Sequence, residues 1–137
     1  MKKFLSAGLA MICILMFCTG CGEIGNSPKQ LTAEEAIKFM QTEQNYIILD
    51  VRTQEEYDKK HIPKAVLLPI EEIRKGNFSE KLPDKNKNIL IYCWTGRRAE
   101  DSAKILAENG YKNVYEFGGL IDWTGEVEGK EVSENNN

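Results

Sequence analysis

Two short apolar runs constrain this chain more than anything else in it. "YIILDV" (46 to 51) and "NILIY" (88 to 92) are nearly continuous stretches of Ile, Leu, Val and Tyr. A strand with one wet face alternates apolar and polar residues, whereas a run that is apolar throughout suits a parallel sheet covered by helices on both faces. The segments between such runs read as helices. "LTAEEAIKFMQ" (31 to 41) opens with a capping box, Thr32 and Glu35, and repeats an apolar face at Ala33, Ala36, Ile37 and Met40. A second capping box, Thr53 and Glu56, predicts a short helix through about Lys60. A longer helix is expected from Arg98 to Asn109, with Ala99, Ala103 and Leu106 on one face and Gly110 as its stop.

Shorter elements fill the remainder. "AVLLP" (65 to 69) reads as a strand stopped by Pro69, after a break at "HIP". "IEEIRKG" and "NFSEKL" read as single helical turns, and "PDKNK" as a turn. "NVYEF" (113 to 117) reads as another strand, followed by a turn at Gly118 and Gly119. Strands alternating with helices predict an α/β domain with a largely parallel sheet over residues 31–125. From Glu126 onward the chain has so little apolar content that 126–137 is expected to be a disordered polar tail.

The amino-terminal stretch is of another kind. Lys2 and Lys3 precede an apolar run from Phe4 to Cys18, which is shorter than the about 17–25 residues of a membrane span and suits a secretory leader. "CTGC" (18 to 21) resembles a bacterial lipoprotein signal, although Cys18 stands where such signals usually carry Leu. The resemblance implies cleavage after residue 20, palmitate or a similar lipid on Cys21, and residues 21–30 as a flexible tether. The protein is then exported and held on the extracytoplasmic side of the plasma membrane or of an outer membrane. Cys13 and Cys18 leave with the leader, and the lipid blocks Cys21. Cys93 remains as the one free thiol in a setting where thiols are usually paired.

A lone cysteine is often a small buried hydrophobe, but the neighbours of Cys93 point elsewhere. It ends a strand and is followed by Gly96, Arg97, Arg98 and a helix. In open parallel sheets, ligands bind at the carboxyl ends of the strands. A loop of N–H groups leading into a helix makes a concave anion site, Gly96 supplies backbone freedom, and the two arginines add planar cationic donors. A thiol in that field is expected to react as its thiolate. Glu100 and Asp101, in the first turn of the helix, oppose the effect. The chain carries 21 acidic against 18 basic residues, so a nucleic-acid partner is not expected.

"YCWTGRRA" (92 to 99) resembles the active-site loop of rhodanese-like domains. "ILDVRTQEEYDKKHIPKAVLLP" (48 to 69) and "YEFGGLIDWTGE" (115 to 126) are similar to further blocks of that family, in the same order. The resemblance implies a single rhodanese-like domain with a mainly parallel sheet of about five strands flanked by helices. It also implies a sulfurtransferase; no His, Cys or carboxylate cluster has metal-ligand spacing, no cofactor is expected, and the protein is expected to be a monomer. A small sulfur-containing anion such as thiosulfate, or a persulfide, gives a sulfane sulfur to Cys93. A thiol or other nucleophile, free or on a protein, removes it. Trp94, Thr95, Gly96, Arg97 and Arg98 form the substrate loop, with Arg97 or Arg98 on the anionic donor. The loop from Cys93 to Arg98 counts six residues, one fewer than in the related phosphatases, which usually carry His where Tyr92 stands.

Other residues admit two readings. Asp50 and Arg52 either support the loop or form a structural ion pair at the strand end. Trp94 contacts an acceptor or covers the loop. Thr95 donates to the sulfur or caps the helix. His61, the one histidine, matches a structural turn. The rival function is a non-catalytic module that senses redox state or binds an anion or sulfur species.

Overall fold

The computed structural model describes residues 26–134. Cys21, the leader assigned to 1–20 and the first half of the tether assigned to 21–30 lie outside the described residues.

Five strands, β1 (Lys29–Gln30), β2 (Tyr46–Asp50), β3 (Val66–Leu67), β4 (Asn88–Cys93) and β5 (Asn113–Gly119), form one sheet in the order β1-β5-β4-β2-β3. Every pairing is parallel. The helices are α1 (Ala33–Thr42), α2 (Gln54–Lys59), α3 (Ile70–Arg74), α4 (Arg97–Glu108) and α5 (Lys130–Glu134). The two apolar runs are the adjacent strands β2 and β4. Ile89, Leu90, Ile91 and Tyr92 of β4 have no exposed surface, as expected of a central strand covered on both faces.

Alternation along β4 sorts its side chains. Ile89, Ile91 and Cys93 face a core built with Ala99, Ala103 and Leu106 of α4 and Ile70 and Ile73 of α3. Leu90 and Tyr92 face the second core, with Ala36 of α1 and Phe117 of β5. The nucleophile candidate therefore lies on the α4 side, at the carboxyl end of the central strand. Trp123, Tyr111, Tyr115 and Phe117 pack into or against the two cores. Phe117 lies 5.4 Å from Trp123 and Tyr115 lies 5.0 Å from Phe39, measured between ring centres.

The structure corrects the sequence reading in three places. Lys29 and Gln30, assigned to the tether, are the edge strand β1 on β5. Only two backbone pairings hold them, so no apolar pattern announced the strand. The turn expected at Gly118-Gly119 is instead the end of β5, and the β4–β5 register slips between Ile91 and Cys93. That irregularity is a β-bulge beside the site. The tail expected to be disordered is in fact ordered as far as residue 134. His61 and Glu128 exchange backbone hydrogen bonds of 2.8 Å each, and α5 follows. Backbone pairing does this work, and composition does not reveal it.

Candidate active site

The site begins with how β4 ends. The Cys93 carbonyl accepts from Leu120 N–H at 3.0 Å, and the Trp94 carbonyl accepts from Ile121 N–H at 3.2 Å. The loop's carbonyls are thus turned outward to the chain after β5, and its N–H groups are left to turn inward. Gly96 N–H donates to Cys93 Sγ at 3.0 Å. The backbone at Gly96 has φ +103°, a left-handed conformation that side chains disfavour. Gly119 forms the floor beneath the loop, where a Cβ would stand 2.0 Å from the Trp94 carbonyl oxygen. The second glycine of "GG" is therefore a packing requirement of the loop.

Helix α4 begins directly after. Its N-cap is Gly96 and carries no side-chain cap hydrogen bond, so the helix start is left to the sulfur and to whatever anion approaches it. Thr95 is not the cap; it is exposed. The two carboxylates set against the sulfur are both drawn to cations, Glu100 to Lys104 at 2.7 Å and Asp101 to Arg74 at 3.5 Å.

The two arginines separate. Arg98 forms a fork with Glu56, Nη1 to Oε2 at 2.9 Å and Nη2 to Oε1 at 2.7 Å. Glu56 also accepts from Thr53 N–H at 3.0 Å as the closing member of the α2 capping box. Arg98, helped by the Thr53 backbone, lowers the Glu56 pKa to about 2. Arg98 is itself held protonated more firmly than usual, first by Glu56 and in smaller part by the Cys93 sulfur. Arg97 is exposed and has no ion-pair partner among the described residues. Arg98 is thus the anchored cation beside the sulfur and Arg97 the one open to a ligand.

Asp50 and Arg52 form a buried pair at the end of β2, 0% and 2% exposed. Arg52 Nη2 donates to Asp50 Oδ2 at 2.6 Å and to the Lys60 carbonyl at 2.7 Å, and Nε donates to Oδ1 at 2.9 Å. The pair ties β2 to the end of α2. Arg52 also lines a cavity together with Trp94. Trp94 is 40% exposed, with Lys60 Nζ 5.7 Å from its ring centre. His61 stacks on Tyr57 at 3.7 Å and places Nδ1 2.7 Å from the Tyr57 carbonyl, bound into the α2 turn. Tyr92 is fully buried, and its hydroxyl accepts from Ile62 N–H at 3.1 Å. Burial, then the charge of Asp50, raises its pKa and keeps the phenol neutral.

Two neighbours went unnoticed in the sequence. Glu56 has a visible signal, since a capping-box carboxylate has a second oxygen to offer. Glu116 has none: it sits in an ordinary strand pattern, yet it is 6% exposed and accepts Gly118 N–H at 3.1 Å next to the loop floor. Burial pushes its carboxyl pKa up. No cluster of three or more metal-ligating side chains occurs among the described residues. A groove of about 710 Å³ lies at the amino end of β2 against Met40, Tyr46 and Trp123, at the other end of the sheet from Cys93.

Comparison with known proteins identifies the family and the fold. A sequence model of the Rhodanese-like domain matches residues 32–126. Thiosulfate sulfurtransferase PspE of Escherichia coli is 38% identical over 74 residues, covering 54% of this chain and 70% of the relative. YrkF of Bacillus subtilis is 36% identical over 107 residues, covering 77% of this chain and 56% of the relative, so the chain spans little more than half of that protein. A structure described as a rhodanese with anions from E. coli superimposes with a TM-score of 0.57 at 33% identity, covering 62% of this chain and 99% of the other. These relatives support sulfur transfer as the general activity.

Proposed function

Because the chain belongs to the rhodanese-like domain family, we propose that it is a thiosulfate-type sulfurtransferase working through a Cys93 persulfide. The observation that carries this reading is the 3.0 Å hydrogen bond from Gly96 N–H to Cys93 Sγ at a helix start with no side-chain cap. In the first half-reaction the Cys93 thiolate attacks the outer sulfur of thiosulfate. The Sγ–S bond forms, the S–S bond of thiosulfate breaks, and its electron pair leaves with sulfite. Arg97 meets the incoming dianion, and Arg98 keeps positive charge beside the sulfur. The Gly96 N–H steadies the anionic persulfide, and donors of this kind contribute about 3–4 kcal/mol in other enzymes. In the second half-reaction a nucleophile takes the outer sulfur and returns the electron pair to Sγ. No external oxidant or reductant is consumed.

Stoichiometry tests the two halves. With thiosulfate and no acceptor, the protein should release one equivalent of sulfite and stop. Cyanide added afterwards should yield one equivalent of thiocyanate. Sulfite release without any dependence on Cys93 would reject the persulfide route.

The rival reading, a module that binds anions or senses redox state without turnover, draws support from the near-complete burial of Cys93 at 1% exposure. Under that reading Cys93→Ser would leave thiosulfate binding intact and there would be no sulfite to lose.

The proposal extends to location: an exported protein anchored by lipid on Cys21, presenting the domain outside the cytoplasm. Among the described residues no helix is long and apolar enough to cross a membrane. Labelling of cells with palmitate should mark the wild type and not Cys21→Ala. Equal labelling of both would sink the anchor.

A further inference from the structure

One cavity beside the Cys93 loop has a wall that sulfur transfer leaves unexplained. It measures about 300 Å³ and is lined by Arg52, Glu56, Lys59, Lys60, Trp94 and Glu131. Glu131 belongs to the C-terminal segment, which packs Val127 against the second core and is fixed further by polar contacts. Besides the two backbone bonds between His61 and Glu128, His61 Nε2 lies 3.1 Å from Glu128 Oε1. Lys130 Nζ donates to Asp58 at 3.4 Å. Gly129, at φ +139°, passes so close to the end of α2 that a Cβ would stand 2.5 Å from the Lys59 carbonyl oxygen. Such an approach admits only glycine, and it seats the next turn of chain against α2.

The charges in this cavity are unevenly committed. Arg52 is paired with Asp50, Glu56 with Arg98, and Lys59 with Glu55 at 3.0 Å. Lys60 lies over the indole of Trp94. Glu131 is exposed and has no ion-pair partner among the described residues, although its charge reaches Lys59. A molecule entering beside Trp94 therefore meets an aromatic surface, the ammonium groups of Lys59 and Lys60, and the carboxylate of Glu131.

We infer that the segment 127–134 is one wall of the acceptor subsite, and that Glu131 on it selects acceptor thiols by charge, favouring aminothiols over anionic thiols of similar size. The inference rests on the sulfur-transfer reading. In the step concerned, the acceptor thiol attacks the outer sulfur of the anionic Cys93 persulfide, and the thiol's proton passes to that sulfur. A new S–S bond forms to the acceptor, the Sγ–S bond breaks with its electron pair returning to Sγ, and the proton leaves on the acceptor persulfide. Glu131 stabilises an approaching ammonium and repels an approaching carboxylate, and takes no part in the bond changes.

The test compares cysteamine, 2-mercaptoethanol and mercaptoacetate as acceptors, with thiosulfate as donor, in wild type and Glu131→Gln. Two opposite charges near 4 Å in water interact by about 1 kcal/mol, roughly fivefold in a rate ratio. The kcat/KM ratio of cysteamine to mercaptoacetate should fall about 25-fold in the variant, fivefold from each acceptor, with 2-mercaptoethanol unchanged. Gly129→Val, which cannot keep the close approach to α2, should lose the same selectivity, and Glu131→Gln should then add nothing further. An unchanged ratio in Glu131→Gln overturns the inference. So does a shift of equal size in both backgrounds, since the charge would then act without the docked wall. If the wild type forms no persulfide on Cys93 with thiosulfate, the sulfur-transfer reading itself fails; if the persulfide forms and none of the three thiols removes it, the acceptor inference alone is overturned.

Discussion

Two strands in this sheet end side by side and each leads into a helix, but the crossings are built in opposite ways. After β2, Thr53 caps α2 with its side chain, Glu56 closes the capping box, and Asp50 and Arg52 bury their charges against each other. After β4, the helix start has only Gly96 for a cap, no side chain fills it, and the N–H of Gly96 points at a sulfur. The first crossing satisfies its own polar groups. The second leaves them for chemistry, in the crevice at the carboxyl end where ligands of parallel sheets bind. Closed and open crossings are also joined, because Glu56 serves both: it caps α2 and holds Arg98 of α4. The structural crossing thus positions the reactive one.

The comparison breaks most visibly at the closed crossing. Asp50→Ala strands the buried Arg52, and losing one partner of a buried pair costs about 3–5 kcal/mol. Urea unfolding should show that loss, and a change under about 1 kcal/mol would mean that the pair is not the lock described here. At the open crossing the sensitive position is Gly119. Gly119→Ala sets a Cβ against the Trp94 carbonyl, so the loop must shift, and displacement of that order can cost about a hundredfold in rate. Sulfite release from thiosulfate should fall by that order. If Gly119→Ala retains wild-type turnover, the loop does not need its glycine floor. Removing the α2 cap is milder. Thr53→Ala should cost about 1 kcal/mol, read from the same unfolding curves.

The smallest effect lies in acid. Glu56 titrates near 4.5 when unfolded and at about 2 when folded. Its lowered folded value means that its contribution to stability is complete above pH 4.5 and is lost as the pH falls toward 2. Glu56→Gln should therefore flatten the acid limb of the stability profile relative to wild type. Parallel limbs would show that the fork to Arg98 does not contribute.

Much of the fold could be read from a few residues. The apolar runs of β2 and β4 could be buried only between helical layers, and both capping boxes form where Thr32, Glu35, Thr53 and Glu56 place them. Cys93, Gly96 and the arginines could be placed together because strand, loop and helix are contiguous in sequence. What sequence could not show depends on contacts between distant segments. The division of labour between Arg97 and Arg98 is set by Glu56, 42 residues before Arg98. The floor at Gly119 and the wall at Glu131 are fixed by backbone approach, which leaves no periodic trace. A polar tail and a polar docked segment have the same composition, and only the pairing of His61 with Glu128 tells them apart.

The central claim is that the open crossing exists to carry sulfur on Cys93. The most direct test is the intact mass of the domain after exposure to thiosulfate, with the modified peptide mapped. The account predicts a gain of one sulfur atom, located on Cys93, removed by cyanide and absent from Cys93→Ser. A wild-type protein that stays unmodified while its Cys93 thiol still reacts with an alkylating reagent would contradict it.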